Sequence, residues 1–127
     1  MLEVNNPEVV AELTAAFRSY EDALVANDFA ALNELFWQSP LTLRYGVSEL
    51  LYSHDEIARF RISRGPIDQR RQLRNTRITT FGRDFGTANT EYVPHGSGRI
   101  GRQSQTWVRV ARDWKIVSAH VSFLSQV

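Results

Sequence analysis

The sequence predicts an α+β fold in which N-terminal helices wrap a curved antiparallel sheet. Three observations carry this. Apolar residues recur at helical spacing over roughly the first half of the chain. From about residue 72 the period changes to two, in long β-branched and aromatic runs separated by turn residues. Helices first and strands afterwards is the order in which helices cover one face of a sheet.

The elements follow in order. Asn6-Pro7 opens a first helix, since asparagine accepts from free N–H groups and proline suits the first helical position. Val9, Val10, Leu13, Phe17, Tyr20 and Leu24 form its buried stripe. Asn27-Asp28 breaks that helix and caps a second, with Leu32, Leu35 and Phe36 facing inward and Pro40 as its stop. Leu41–Tyr45 and Ser48–Tyr52 alternate and join through Gly46, as a small hairpin does. Ser53 and Glu56 have capping-box spacing, starting a third helix that carries Ile57 and Phe60 inward and ends at Gly65-Pro66. Leu73–Gly82, Gly86–Pro94, Arg99–Val110 and Trp114–Leu124 read as four strands of a meander, turning at Arg83-Asp84, His95-Gly96 and Arg112-Asp113.

Composition narrows the function. A length of 127 residues suits one domain over 1–127. With no cysteine, disulfides, thiolate metal sites and cysteine nucleophiles are excluded. No run approaches the roughly 18 apolar residues of a membrane span, and the start lacks a basic leader, so a cytoplasmic location without membrane attachment is expected. Net charge is +1, but residues 1–56 hold ten carboxylates against Arg18 and Arg44, while 57–127 hold thirteen basic groups against four carboxylates. Twelve of those thirteen are arginines, which suits directional pairing with carboxylates between helices and sheet or between subunits, or else a solvated charged surface. An acidic first half repels phosphates, so no nucleic-acid partner is expected. His54, His95 and His120 have no paired ligand spacing, and phosphate-loop, dinucleotide and nucleophile-elbow motifs are missing. No metal and no cofactor are expected.

A bent sheet over helices encloses a space for side chains or a ligand. Strict alternation puts Trp114, Ile116, Ser118, His120 and Ser122 on one face of the last strand, with His120 shielded either as a core histidine or as a pocket acid/base. Arg44 stands among Leu41, Leu43 and Tyr45, where a buried guanidinium needs an anion: Glu49 or Glu91 in a structural pair, or a substrate carboxylate; the remaining alternative is that it is exposed at the surface. Tyr20 reads as a core aromatic on this evidence alone. In the polar strand Arg99–Trp107, either Gln103 and Gln105 or Arg102, Ser104 and Thr106 face inward, and the amides or hydroxyls of the inward set offer donors and acceptors; the alternative is that this polar face forms a wet subunit interface.

Several blocks carry a resemblance. Tyr20-Glu21, the stretch from Leu35-Phe36-Trp37 to Arg44-Tyr45-Gly46, Ile78–Asp84, Thr90-Glu91, Gly101-Arg102-Gln103-Ser104-Gln105-Thr106-Trp107 and Trp114–Ser122 together resemble the oxalurate-catabolism accessory protein family. That family also includes a small hydrolase of cyanuric-acid degradation, and it lies within the nuclear-transport-factor-2-like, cystatin-like, SnoaL-like superfamily. The resemblance implies a cone-shaped α+β fold, usually a homodimer through the sheet, encoded beside an amidase that acts on urea-derived carboxylates. The cyanuric-acid relative acts as a decarboxylating amidohydrolase on a dicarboxylated urea, so the resemblance implies a cofactor-free amidohydrolase of nitrogen metabolism acting on a small anionic substrate, a carboxylated urea or ureide. The proposed tyrosine and arginine of the cyanuric-acid relative match Tyr20 and Arg44. On this reading Tyr20 and Arg44 are catalytic, and His120, Ser122, Gln105, Ser104 and Glu91 are candidates for binding substrate. Two rivals stand: a non-catalytic binding partner of the amidase, and an isomerase or dehydratase of the steroid-isomerase type with Glu91 as its base.

Overall fold

The computed structural model describes residues 2–125. Helix α1 spans Pro7–Val25, with Asn6 Oδ1 accepting from the N–H groups of Glu8 (3.0 Å) and Val9 (3.4 Å). Asp28 caps α2 (Phe29–Leu35) by accepting from Ala31 N–H at 3.0 Å. This helix ends at Leu35, well before Pro40: Phe36 turns extended and bridges Ile116 in parallel. Ser53 caps α3 (His54–Arg64), while Glu56 reaches back to Tyr52 N–H at 2.8 Å, a capping box shifted by one residue. Gly65, at φ 78° and ψ 179°, takes a positive-φ extended conformation open mainly to glycine, and the helix stops there with its N–H donating to Arg61 O.

The strands are β1 (Leu43–Tyr45), β2 (Leu50–Tyr52), β3 (Arg71–Phe81), β4 (Phe85–Pro94), β5 (Gly101–Val110) and β6 (Asp113–Phe123). They form one six-stranded sheet in the order β2-β1-β6-β5-β4-β3. The meander β3 to β6 is antiparallel throughout, and β1 adds to β6 in parallel, extending the sheet past the C-terminal strand. The last hairpin turns at Ala111-Arg112, both at positive φ, one residue earlier than the sequence pattern places it. Helices and sheet bury one core that includes Val9, Leu13, Phe17, Leu32, Phe36, Trp107 and Ile116. This is the α+β, NTF2-like and cystatin-like architecture. Among the described residues no helix is long and apolar enough to cross a membrane.

One irregularity decides what points inward. Trp107 pairs with Ile116, but its neighbour Thr106 pairs with Ser118, leaving Val117 as an extra residue in β6. A bulge of this kind inverts side-chain parity beyond it. Trp114 and Ile116 therefore face the core before the bulge, and Ala119 and Val121 after it. Strict alternation mispredicts this half of the strand: His120 is exposed on the outer face and Ser122 shares that face with Arg102. On β5 the parity resolves the other way from Ser104, with Gln103 and Gln105 buried and Ser104 exposed.

Candidate functional site

Where α1 and α3 meet the concave side of the sheet, a cavity of about 340 Å³ remains. Tyr20 and Leu24 enter it from α1, Arg44 and Glu49 from the β1–β2 hairpin, Arg64 from the end of α3, and Arg71 from the start of β3. A larger hollow of about 580 Å³ over Gln38, Pro40 and His54 is more open to solvent and gathers no comparable set of charges. The inner cavity is therefore the candidate site.

Its floor is a closed network. Arg71 grips Glu21 with two bonds, Nε to Oε1 at 2.9 Å and Nη2 to Oε2 at 2.6 Å, and Gln103 both donates to Glu21 (3.1 Å) and accepts from Arg71 (2.8 Å). The Arg71 guanidinium also lies 4.5 Å from the Tyr92 ring centroid, and burial pushes the Tyr92 hydroxyl above its ordinary pKa. Both charged side chains are nearly sealed from water, so the fork geometry and the extra glutamine bonds are what make this pair tolerable there. Spent in this way, Glu21 is an inward carboxylate but not a free base.

Arg44 shares the cavity with Tyr20, and the partner left open between Glu49 and Glu91 is Glu49, at 3.0 Å from Nη1. The guanidinium is thus paired rather than alone. That single bond occupies one of its five N–H donors, so an edge remains for a second acceptor. Tyr20 is buried edge-on against Phe36, with ring centroids 6.2 Å apart, and no hydrogen bond ties its hydroxyl to another described residue.

The other proposed binding residues do not join them. His120 packs edge-on against Tyr45 (5.7 Å) on the outer face, beside Ser104, and Ser122 lies on that face as well. Gln105 faces inward but accepts from Trp107 Nε1 at 3.0 Å, deeper in the core, with its own Nε2 unpartnered. Glu91 bonds Asn75 (2.7 Å) and Arg74 (3.3 Å) outside the cavity, which holds its carboxyl below the ordinary range. The base nominated for the isomerase reading therefore points away from the site.

Two residues that alternation and motif reading passed over stand close by. Arg64 lines the cavity and makes no ion pair with a described carboxylate; its Nε donates only to Gly65 O at 3.2 Å. Burial first, and then the charge of Arg44, holds its pKa below the usual arginine value. Arg61, 5% exposed, bonds only Asn33 Oδ1 at 3.3 Å and lies 4.9 Å from the Phe36 centroid; burial pulls its pKa down to about 10, and Arg44 and Arg64 add to this. The available signal was helical spacing, because 57, 60, 61 and 64 fall on one stripe of α3.

A family model described as AtzH-like matches residues 2–127. A structure of a DUF3225-family protein of unknown function from Pectobacterium atrosepticum is 52% identical, covers 96% of this chain and 95% of its own, and superposes with a TM-score of 0.93. A cystatin-like fold protein from Burkholderia xenovorans is 45% identical over the whole of both chains, again at 0.93. An NTF2-like protein from Streptomyces avermitilis shares the fold at 16% identity, covering 94% of this chain and 98% of its own, with a TM-score of 0.78. Among curated proteins no match is found.

Proposed function

The chain belongs to the AtzH-like family, and from that premise we propose that it is a cytoplasmic, cofactor-free amidohydrolase that removes a carboxylated nitrogen group from a small urea-like or oxalurate-related carboxylate. The observation that supports this most directly is the meeting of Tyr20 and Arg44 in one cavity with more cations than carboxylates. In the proposed reaction water adds to the urea-type carbonyl carbon and the C–N bond breaks with its electron pair going to nitrogen. The nitrogen takes a proton, and the carbamate so released loses carbon dioxide. Arg44 holds a substrate carboxylate on its unused edge and stabilises charge developing on the carbonyl oxygen; the Tyr20 hydroxyl, uncommitted to other described side chains, hydrogen-bonds that centre or relays the proton.

The test is to incubate the protein with carboxylated ureas and follow ammonia and carbon dioxide. Tyr20→Phe and Arg44→Ala are each expected to lower the rate about 10²-fold or more. Rates unchanged in both variants remove these roles. A second reading, a non-catalytic partner of an amidase, is favoured by one feature: Glu49 already neutralises Arg44. Stable co-purification with that amidase, together with no turnover in isolation, would select it. A homodimer through the outer sheet face is part of the same proposal, since Tyr45, Tyr52 and His120 meet edge to face there, Tyr52 and His120 exposed; a monomer by light scattering rules it out.

A further inference from the structure

We propose that the Tyr92 hydroxyl is a second neutral donor in this cavity, placed by the bare backbone at Gly101 to hydrogen-bond an uncharged carbonyl or amide oxygen of the ligand. The proposal rests on the reading of the cavity as the substrate site and adds a contact that neither Arg44 nor Tyr20 supplies.

Tyr92 of β4 pairs with Gly101 of β5, which pairs in turn with Phe123 of β6. A Cβ added at Gly101 would overlap Cζ and both Cε atoms of the Tyr92 ring, the half that carries the hydroxyl. A glycine inside a strand often marks such a close approach, and here it lets the ring lie down across β5. The ring is held on other sides as well, by Phe123 at 5.7 Å between centroids and by the Arg71 guanidinium at 4.5 Å. Arg71 is itself fixed by Glu21 and Gln103. Tyr92 lines the cavity at only 5% exposure, and its hydroxyl has no hydrogen-bond partner among the described residues. A phenylalanine would fill the same ring position without the cost of burying an unpaired hydroxyl. Burial holds the phenol above its ordinary pKa of 10.0, although the charges of Arg71 and Arg44 act in the opposite sense, so the group keeps its proton and serves as a donor. The wall around it already balances its charge: a carboxylate placed there would face Glu21 together with Arg71, whereas a neutral oxygen meets no such repulsion.

The competing structural account is that Tyr92 is a packing aromatic whose hydroxyl is merely hydrated. The two accounts differ in what loss of the hydroxyl moves. The experiment is calorimetric titration of the full chain with hydantoate, which carries one carboxylate and one urea carbonyl, and with 4-methylpentanoate, its hydrocarbon isostere, for wild type, Tyr92→Phe and Gly101→Ala. Tyr92→Phe keeps the ring and should weaken hydantoate about three- to tenfold, the range for one neutral hydrogen bond, while 4-methylpentanoate binds both proteins alike. Gly101→Ala keeps the hydroxyl but displaces it, and should lose hydantoate affinity to a similar extent; where that variant fails to fold, Tyr92→Phe decides alone. The proposal is overturned if wild type does not bind hydantoate, if Tyr92→Phe weakens the two probes equally or neither, or if a folded Gly101→Ala binds hydantoate as wild type does. Turnover of carboxylated ureas is read separately. Hydantoate affinity that depends on Tyr92 in a protein without hydrolysis retains the donor and rejects the reaction, whereas hydrolysis that needs Tyr20, with KM and kcat indifferent to Tyr92→Phe, does the reverse.

Discussion

Replacing Glu21 by leucine should destabilise the fold and, at the same time, make the cavity a better anion site. The substitution removes three hydrogen bonds, two from Arg71 and one from Gln103, and leaves a guanidinium only 6% exposed without its counter-charge. Breaking a buried pair from one side costs about 3–5 kcal/mol. For a chain of 127 residues the unfolding entropy near the midpoint is about 0.27 kcal/mol/K, so Tm should fall by about 10–20 °C. Adding Arg71→Met removes the orphaned cation, and a double-mutant cycle followed by tryptophan fluorescence in urea should return a coupling of about 2 kcal/mol or more. Because Arg71 lines the cavity, its release from Glu21 also creates a new anchor for carboxylates. A ligand at a hundred times its Kd stabilises by about 2.7 kcal/mol, so a fixed malonate concentration should raise Tm more in Glu21→Leu than in wild type. A loss below about 1 kcal/mol, or equal stabilisation of both proteins by malonate, would refute the account of this network as a buried pair that neutralises a cavity cation.

Three further outcomes follow from the same geometry. In Gly46→Ala the new methyl overlaps the flexible Glu49 carboxylate, so stability should change by no more than about 1 kcal/mol while acetate affinity rises as Glu49 is displaced from Arg44; unchanged affinity would mean that Glu49 does not compete for Arg44. Arg61→Met should leave Tm unchanged or raise it, since a desolvated cation is exchanged for an apolar chain; a clear fall in Tm would show that the Asn33 and Phe36 contacts outweigh desolvation. The carboxyl of Glu12 is held below its ordinary value of 4.5 chiefly by the hydrogen bond from Arg109, at 2.6 Å. A lowered folded-state pKa gives stability that is present above 4.5 and lost as pH falls through the lowered value, so the urea midpoint should drop between about pH 5 and pH 3. Glu12→Gln should flatten part of that drop, and an identical acid limb would count against it.

Most of the architecture was legible because its signals are local. Asn6, Asp28 and Ser53 cap the helices they were expected to cap, and the meander strands begin and end within about two residues of the turn signals that mark them. What alternation could not supply was the bulge at Val117, because a bulge is a relation between two strands and leaves no composition of its own in either. His120 and Ser122 were carried to the wrong face by that one residue. The parallel docking of β1 on β6 is non-local for the same reason: it joins Leu43 to Ser118 across most of the chain, and no periodicity records it.

The arginines show how isolation in sequence misleads about isolation in space. Arg44 stands alone among apolar neighbours, yet a hairpin folds Glu49 back onto it, five residues away, through the turn at Gly46. Arg61 and Arg64 lie in a segment that also holds Asp55 and Glu56, which suggests ready partners. Those two carboxylates belong to the first turn of α3, where Glu56 is taken up by the Tyr52 N–H, while the arginines fall in the last turn. The stripe through Ile57, Phe60, Arg61 and Arg64 then places two guanidiniums where a helix of this pattern should carry leucines. A charged residue at an apolar stripe position is a local signal, readable without coordinates, and here it marks the cations whose balancing charge is not found among the described residues.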